Sequence, residues 1–191
     1  MWQGRAVGYI RTMSSFTAQN SFSSLATEIA EDLAMWPMGM SPSRVLQINE
    51  REAGTIVADI IPYTSLTILS QEPVNFPGKE HRFKPIDVRI GDWSKTEWGE
   101  GYDIVLCFDF LRHLIDRDRI SFLTRAQRSL ARGGRTLAIE LVTPGDIAAR
   151  ELQHAGLAAG CERVLVSSMA TDESWSAVVF ERDRWSAWHV D

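Results

Sequence analysis

Residues 104–108, Ile-Val-Leu-Cys-Phe, form an unbroken apolar run between Asp103 and Asp109. A strand apolar on both sides needs cover above and below, which is the place of a central parallel strand. Around it, strand-like and helix-like segments alternate. Short apolar stretches at 44–48, 66–69, 86–90 and 136–142 predict further strands. Phe22, Leu25, Ala26, Ile29, Leu33 and Trp36 follow a helical stripe that Pro37 and Gly39 end. The segment 54–61 predicts a helix stopped by Pro62. A helix over 117–131 is expected to turn Ile120, Leu123, Ala126 and Leu130 inward, with Arg119, Arg125 and Arg128 outward. Gly133 and Gly134 are expected to close it. A further helix is predicted to start at Pro144-Gly145-Asp146 and to end at Gly156. Two β-rich runs, 162–169 and 175–181, finish the pattern around a turn at 171–173. Strands alternating with helices, then a closing strand pair, specify an α/β doubly wound sheet. The 191 residues suit one compact unit. Within it, 1–40 reads as an amino-terminal arm and helix, and 41–191 as the Rossmann-like domain.

Composition narrows the partners. A net charge of −5 argues against a general nucleic-acid or anionic-membrane surface. Arg5 and Arg11 interrupt any amino-terminal apolar run, and no stretch approaches the roughly 18 apolar residues of a membrane span. Cys107 and Cys161 fall in predicted strands without metal-ligand spacing, as buried thiols of a reducing compartment do. The expectation is a cytoplasmic protein. Of seven tryptophans, Trp2, Trp185 and Trp188 lie near the termini. Indoles there either pack back on the domain or build an oligomer interface.

Three pieces of sequence, in this order, carry a resemblance. They are Gly91-Asp92-Trp93 after the third strand, Tyr102 to Leu106 with Leu111-Arg112-His113-Leu114 behind it, and Leu130 to Leu137 with its Gly-Gly pair. Together they resemble the class I S-adenosylmethionine-dependent methyltransferases, especially the small-molecule branch. The resemblance covers about residues 44–182. It implies about seven strands with a reversed last strand, an amino-terminal helix packed outside, and Asp92 as the acid that reads the adenine amino group.

The family's first motif places an acid inside strand one and then three glycines spaced two apart. Here those positions hold Gln47, Asn49, Arg51 and Ala53. Glycine matters there because a backbone without Cβ can approach a cofactor and adopt positive φ. The acid expected to end strand two, for the ribose hydroxyls, falls on Ser70, with Glu72 two residues later. Two readings follow. In one, the S-adenosylmethionine site is degenerate and the protein is a non-catalytic partner subunit, or a repurposed protein, in small-molecule metabolism, possessing no cofactor of its own. In the other, it is an active methyltransferase for a small-molecule acceptor. A remodelled loop, Asn49 to Gly54, would then hold the cofactor's amino group through Glu50 or Glu52, with Ser70, Glu72, Asp92 and Trp93 lining the rest. Partners under either reading are a small-molecule ligand and a second subunit, of the same chain or of another methyltransferase.

His113, at the carboxyl edge of strand four, is the candidate general base, and Asp109 the candidate orienting carboxylate. The bland readings are a packed histidine and a helix-capping acid. Asp116 to Arg119 reads as a solvated helix start, and His81 with its neighbouring Lys79, Arg82 and Lys84 as a basic surface loop. Cys107 is too apolar in setting for a reactive thiolate. The sequence contains no metal-ligand spacing, phosphate-cradling loop or Ser-His-Asp elbow.

Overall fold

The computed structural model describes residues 44–49, 64–73, 86–168 and 176–182. The expected amino-terminal helix, the Glu50 to Gly54 loop, the helix over 54–61, the His81 loop and the turn at 171–173 lie outside the described residues, as does the side chain of Asn49.

Seven strands form one sheet in the order β3-β2-β1-β4-β5-β7-β6. They are β1 (Arg44–Asn49), β2 (Ser65–Ser70), β3 (Ile86–Ile90), β4 (Tyr102–Phe108), β5 (Leu130–Glu140), β6 (Arg163–Ser168) and β7 (Ser176–Glu181). The first five run parallel, and β7 enters antiparallel between β5 and β6. The seven-stranded sheet with a reversed last strand is the one the sequence implied. β4 is central, and Ile104, Val105, Leu106 and Cys107 are all buried. At the edge, β3 leaves Val88 and Ile90 exposed, because one flank and much of its faces meet solvent.

Two described helices pack on the sheet: α1 (Asp116–Ser129) and α2 (Ile147–Ala158). α1 has no side-chain cap, and Asp116 and Asp118 in its first turn suit the positive end of the helix dipole. It buries Phe122, Leu123 and Ala126 in a core shared with Leu152, Ala155 and Phe180. α2 is capped by Asp146, whose carboxylate accepts the Ala149 N–H at 2.6 Å. Among the described residues no helix is long and apolar enough to cross a membrane.

Several local expectations are corrected. α1 ends at Ser129, and Leu130 is already extended. Gly133 and Gly134 therefore lie in β5 and do not cap the helix. The β4–β5 pairing moves from Tyr102↔Leu130 to Ile104↔Arg135, so five residues of β5 advance against two of β4. The surplus bulges out through Gly133 at φ 81, and a Cβ on Gly134 would sit 2.8 Å from the Tyr102 carbonyl oxygen. Gly156 does not end α2. It lies inside the helix, where a Cβ would come within 2.6 Å of Phe180 and Val164. Cys161 is buried, but in the connection before β6 and not in a strand. Arg119, expected outward, is buried beside Phe122 and Leu123.

Candidate functional site

β1 to β5 all finish on one edge of the sheet. Order reverses between β1, whose next strand lies on one side, and β4 on the other, so their carboxyl ends form the switch point at which open α/β sheets bind ligands. The described candidates, Ser70, Glu72, Asp92, Trp93, Asp109 and His113, lie at or behind the ends of β2, β3 and β4 on that edge.

β2 ends at Ser70, which is buried. Its hydroxyl accepts the Glu72 N–H at 3.3 Å, and its carbonyl accepts the Gly91 N–H at 2.8 Å. The chain thus bends at Ser70 and leaves Glu72 exposed. One strand earlier, Gln47 is fully buried in β1.

Behind β3, Asp92 Oδ1 accepts both the Ser94 N–H and the Ser94 hydroxyl at 2.7 Å, while Lys95 Nζ stands 3.8 Å from Oδ2. The two Ser94 bonds, hydroxyl first, hold the Asp92 carboxyl below its ordinary value. This acid is therefore a fixed anion, with Oδ2 less engaged than Oδ1. Trp93 turns its ring edge-on to Phe110 and Phe122, with centroids 6.2 and 5.4 Å away. That contact brings the loop behind β3 against the turn behind β4.

That turn begins at Asp109, a non-glycine residue at φ 43, which an aspartate tolerates better than most residues. A single 3-10 turn, Leu111–His113, follows. The Asp109 carboxylate pairs with the Arg112 guanidinium through both oxygens, and its Oδ2 lies 3.5 Å from His113 Nε2. Burial pushes Asp109 up, but Arg112 and then His113 outweigh it and hold the carboxyl below its ordinary value. Asp109 and His113 are thus brought together, four residues apart, and Arg112 joins them as a cation on the same carboxylate.

Three residues that build this edge stand outside the candidates read from the sequence. Glu140, the last residue of β5, is fully buried and accepts the Phe110, Leu111 and Arg112 N–H groups at 3.1, 2.8 and 3.2 Å. Burial raises its pKa to about 7 against the pull of those three donors. Arg119 donates to the Leu111 carbonyl at 2.9 Å, and more weakly to that of Arg112 at 3.4 Å. It also pairs with Asp116 and with Glu151 of α2. Arg125 donates to the carbonyls of Trp93, Ser94 and Thr96 at 2.8, 2.9 and 2.5 Å and lies over the Trp98 ring. One signal was available: Arg119 stands four residues before Leu123, on the apolar stripe itself. Glu140 had none, because its partners are backbone groups about 30 positions away.

Among the described residues, no group of three or more His, Cys, Asp or Glu side chains gathers to hold a metal ion. Both cysteines are free and buried, and burial raises Cys107 well above its ordinary value and Cys161 to about 12.

No protein-family profile matches the chain, and no curated protein sequence does. Solved structures do. A putative O-methyltransferase from Nostoc punctiforme superposes with a TM-score of 0.69 at 19% identity, over 84% of this chain and 56% of that one. The S-adenosylmethionine-dependent methyltransferase SibL, in its apo form, gives 0.63 at 16%, over 88% and 58%. CalS10, an amino pentose methyltransferase from Micromonospora echinaspora, was solved with S-adenosylmethionine bound. It gives 0.68 at 15%, over 96% of this chain and 98% of its own. The chain thus has the class I methyltransferase fold. It spans little more than half the length of the first two structures and nearly all of the third.

Proposed function

We propose that this protein is a methyltransferase-fold chain with a degenerate S-adenosylmethionine site, acting as a non-catalytic partner subunit or a repurposed protein in small-molecule metabolism. The end of β2 carries this reading. A ribose held there would meet the neutral hydroxyl of Ser70, whose oxygen already accepts the Glu72 N–H, where the resemblance calls for a carboxylate. A buried neutral acceptor offers a diol much less than an anion does. The substitutions at Gln47, Asn49, Arg51 and Ala53 point the same way.

The other end fits the cofactor better. Asp92 is a fixed anion suited to accept from the amino group of an adenine. This favours a second reading, an active methyltransferase for a small acceptor. S-adenosylmethionine would supply an electrophilic methyl group, and the protein would chiefly position it against the acceptor. Asp109 would orient His113 toward an acceptor hydroxyl. An oligomeric, cytoplasmic protein is part of both readings.

Titration calorimetry of S-adenosylmethionine and S-adenosylhomocysteine into refolded, ligand-free protein separates them. Under the first reading neither compound gives heat, and millimolar cofactor leaves the melting temperature unchanged. Micromolar binding that Asp92→Ala abolishes would replace the first reading with the second.

A further inference from the structure

The loop behind β3 and the turn behind β4 are both held by one helix, α1. Arg119 and Arg125 stand six residues apart on α1, and each donates to backbone carbonyls of a different loop, Arg119 also pairing with Asp116 and Glu151. Arg119 takes Leu111 and Arg112, within the turn that carries Asp109 and His113. Arg125 takes Trp93, Ser94 and Thr96, within the loop that carries Asp92. A guanidinium presents five donors in a planar fork, so it can hold several carbonyls at once where an ammonium acts as a point charge. Arg125 is further fixed by Trp98, whose indole N–H donates to the Trp93 carbonyl at 2.9 Å. Phe122 lies between the two arginines in sequence and touches Trp93, Trp98 and Phe110, with centroids 4.8 to 5.4 Å apart.

We propose that Arg119 and Arg125 are positioning residues, and that α1 acts as a gauge setting the separation of the Asp92 loop from the Asp109–His113 turn. Neither side chain need touch the ligand. As a statement about a ligand this rests on the active-methyltransferase reading, in which the ends of these strands bind it. As a statement about the loops it stands without one. A ligand that reaches from Asp92 to His113 is then selected partly by a length that the helix fixes. In a merely stabilising role the arginines would affect all parts of the fold alike. In a gauging role each one governs its own loop.

Amide hydrogen exchange of the intact protein, followed residue by residue, tests this. Arg125→Ala is expected to speed exchange of the Lys95 and Thr96 amides, which bond the Asp92 carbonyl. The increase should be at least about tenfold, the equivalent of one lost charged hydrogen bond. Exchange at His113 and Leu114 should stay as it was. Arg119→Ala is expected to do the reverse, freeing His113 and Leu114, whose amides bond the Phe110 and Leu111 carbonyls. Arg125→Lys should fall between wild type and Arg125→Ala. Glu151→Ala removes only the pair to α2 and should leave both loops protected, which separates carbonyl holding from helix stapling. Equal acceleration everywhere, or no change in the named loop, would overturn the proposal. If the exchange pattern appears while wild type binds neither S-adenosylmethionine nor S-adenosylhomocysteine, the gauge stands and the active-enzyme reading falls. If wild type binds either compound, Arg125→Ala should weaken that binding about tenfold, and undiminished affinity would remove the ligand part of the proposal.

Discussion

Glu140 Oε1 stands 2.8 Å from the Leu111 amide nitrogen, so the last residue of β5 grips the turn behind β4 by its backbone. The carboxylate is sealed from solvent, and burial outweighs its three donors, raising its pKa to about 7 from an ordinary 4.5.

The raised value has a consequence for stability. Between about pH 4.5 and 7 the folded chain keeps a proton on Glu140 that the unfolded chain has lost. Stability from this group is therefore fully present below the lower value and lost as pH rises through the upper one, on the order of 3 kcal/mol in all. Urea titrations from pH 5 to 8 should show this decline, and Glu140→Gln should flatten it. A wild-type profile that is level over that window would show the carboxylate to be better solvated than the fold indicates. Asp109, held low by Arg112 and His113, acts in the opposite sense. Its contribution is lost only as pH falls through the depressed value, below the Glu140 window.

Asp109 combines a left-handed backbone with an ion pair, and two substitutions separate them. Asp109→Asn keeps a side chain that tolerates positive φ and loses only the charge. Because the pair is partly exposed, the expected loss is below about 1 kcal/mol. Asp109→Ala adds the left-handed penalty and should fall lower by about another 1–2 kcal/mol. Chemical denaturation at pH 7 gives both values, and equal stability of the two variants would mean that the backbone strain is absent.

Gly156→Ala sets helix propensity against packing. Alanine favours a helix interior by about 1 kcal/mol over glycine. The new methyl would run into Phe180, which is fully buried, and into Val164. Overpacking of this kind costs about 1–3 kcal/mol, so a net loss is expected. A rise in melting temperature on this substitution would contradict the close approach of α2 to β6 and β7.

Neither thiol should react in the folded protein. Cys107 and Cys161 are buried and their pKa values raised, so a thiol reagent at pH 8 should label neither until urea unfolds the chain. Rapid labelling of either one in native buffer would show local opening around it.

The sheet was legible because parallel strands covered on both sides leave unbroken apolar runs, as Ile104 to Phe108 does. The placing of Asp109 and His113 behind that strand followed from topology alone. Their pairing is a spacing of four residues across a turn, which sequence can suggest. Glu140 and Arg125 give no such signal of a place in the site, because each acts on backbone groups, and a carbonyl or amide carries no residue-specific signal. Gly133 and Gly134 suit a helix stop as well as a strand bulge, because both make the same demand for glycine. Arg119 was assigned outward by its charge, although its position on the apolar stripe pointed inward. The substitutions at Asn49, Arg51 and Ala53 are plain in the sequence, and their consequence depends on a loop outside the described residues.

The insertion of β7 between β5 and β6 bears on how the chain is made. Strand β6 is synthesised before β7, yet it has no neighbour in the sheet until β7 exists. During translation β5 must remain an open edge, displaying unpaired amides and carbonyls, until Ser176–Glu181 has cleared the ribosome. The nascent protein is therefore most prone to stray association after the parallel part has assembled and before Ser176–Glu181 joins it. A ribosome stalled before residue 176 would hold the parallel part of the sheet with the β5 edge uncovered.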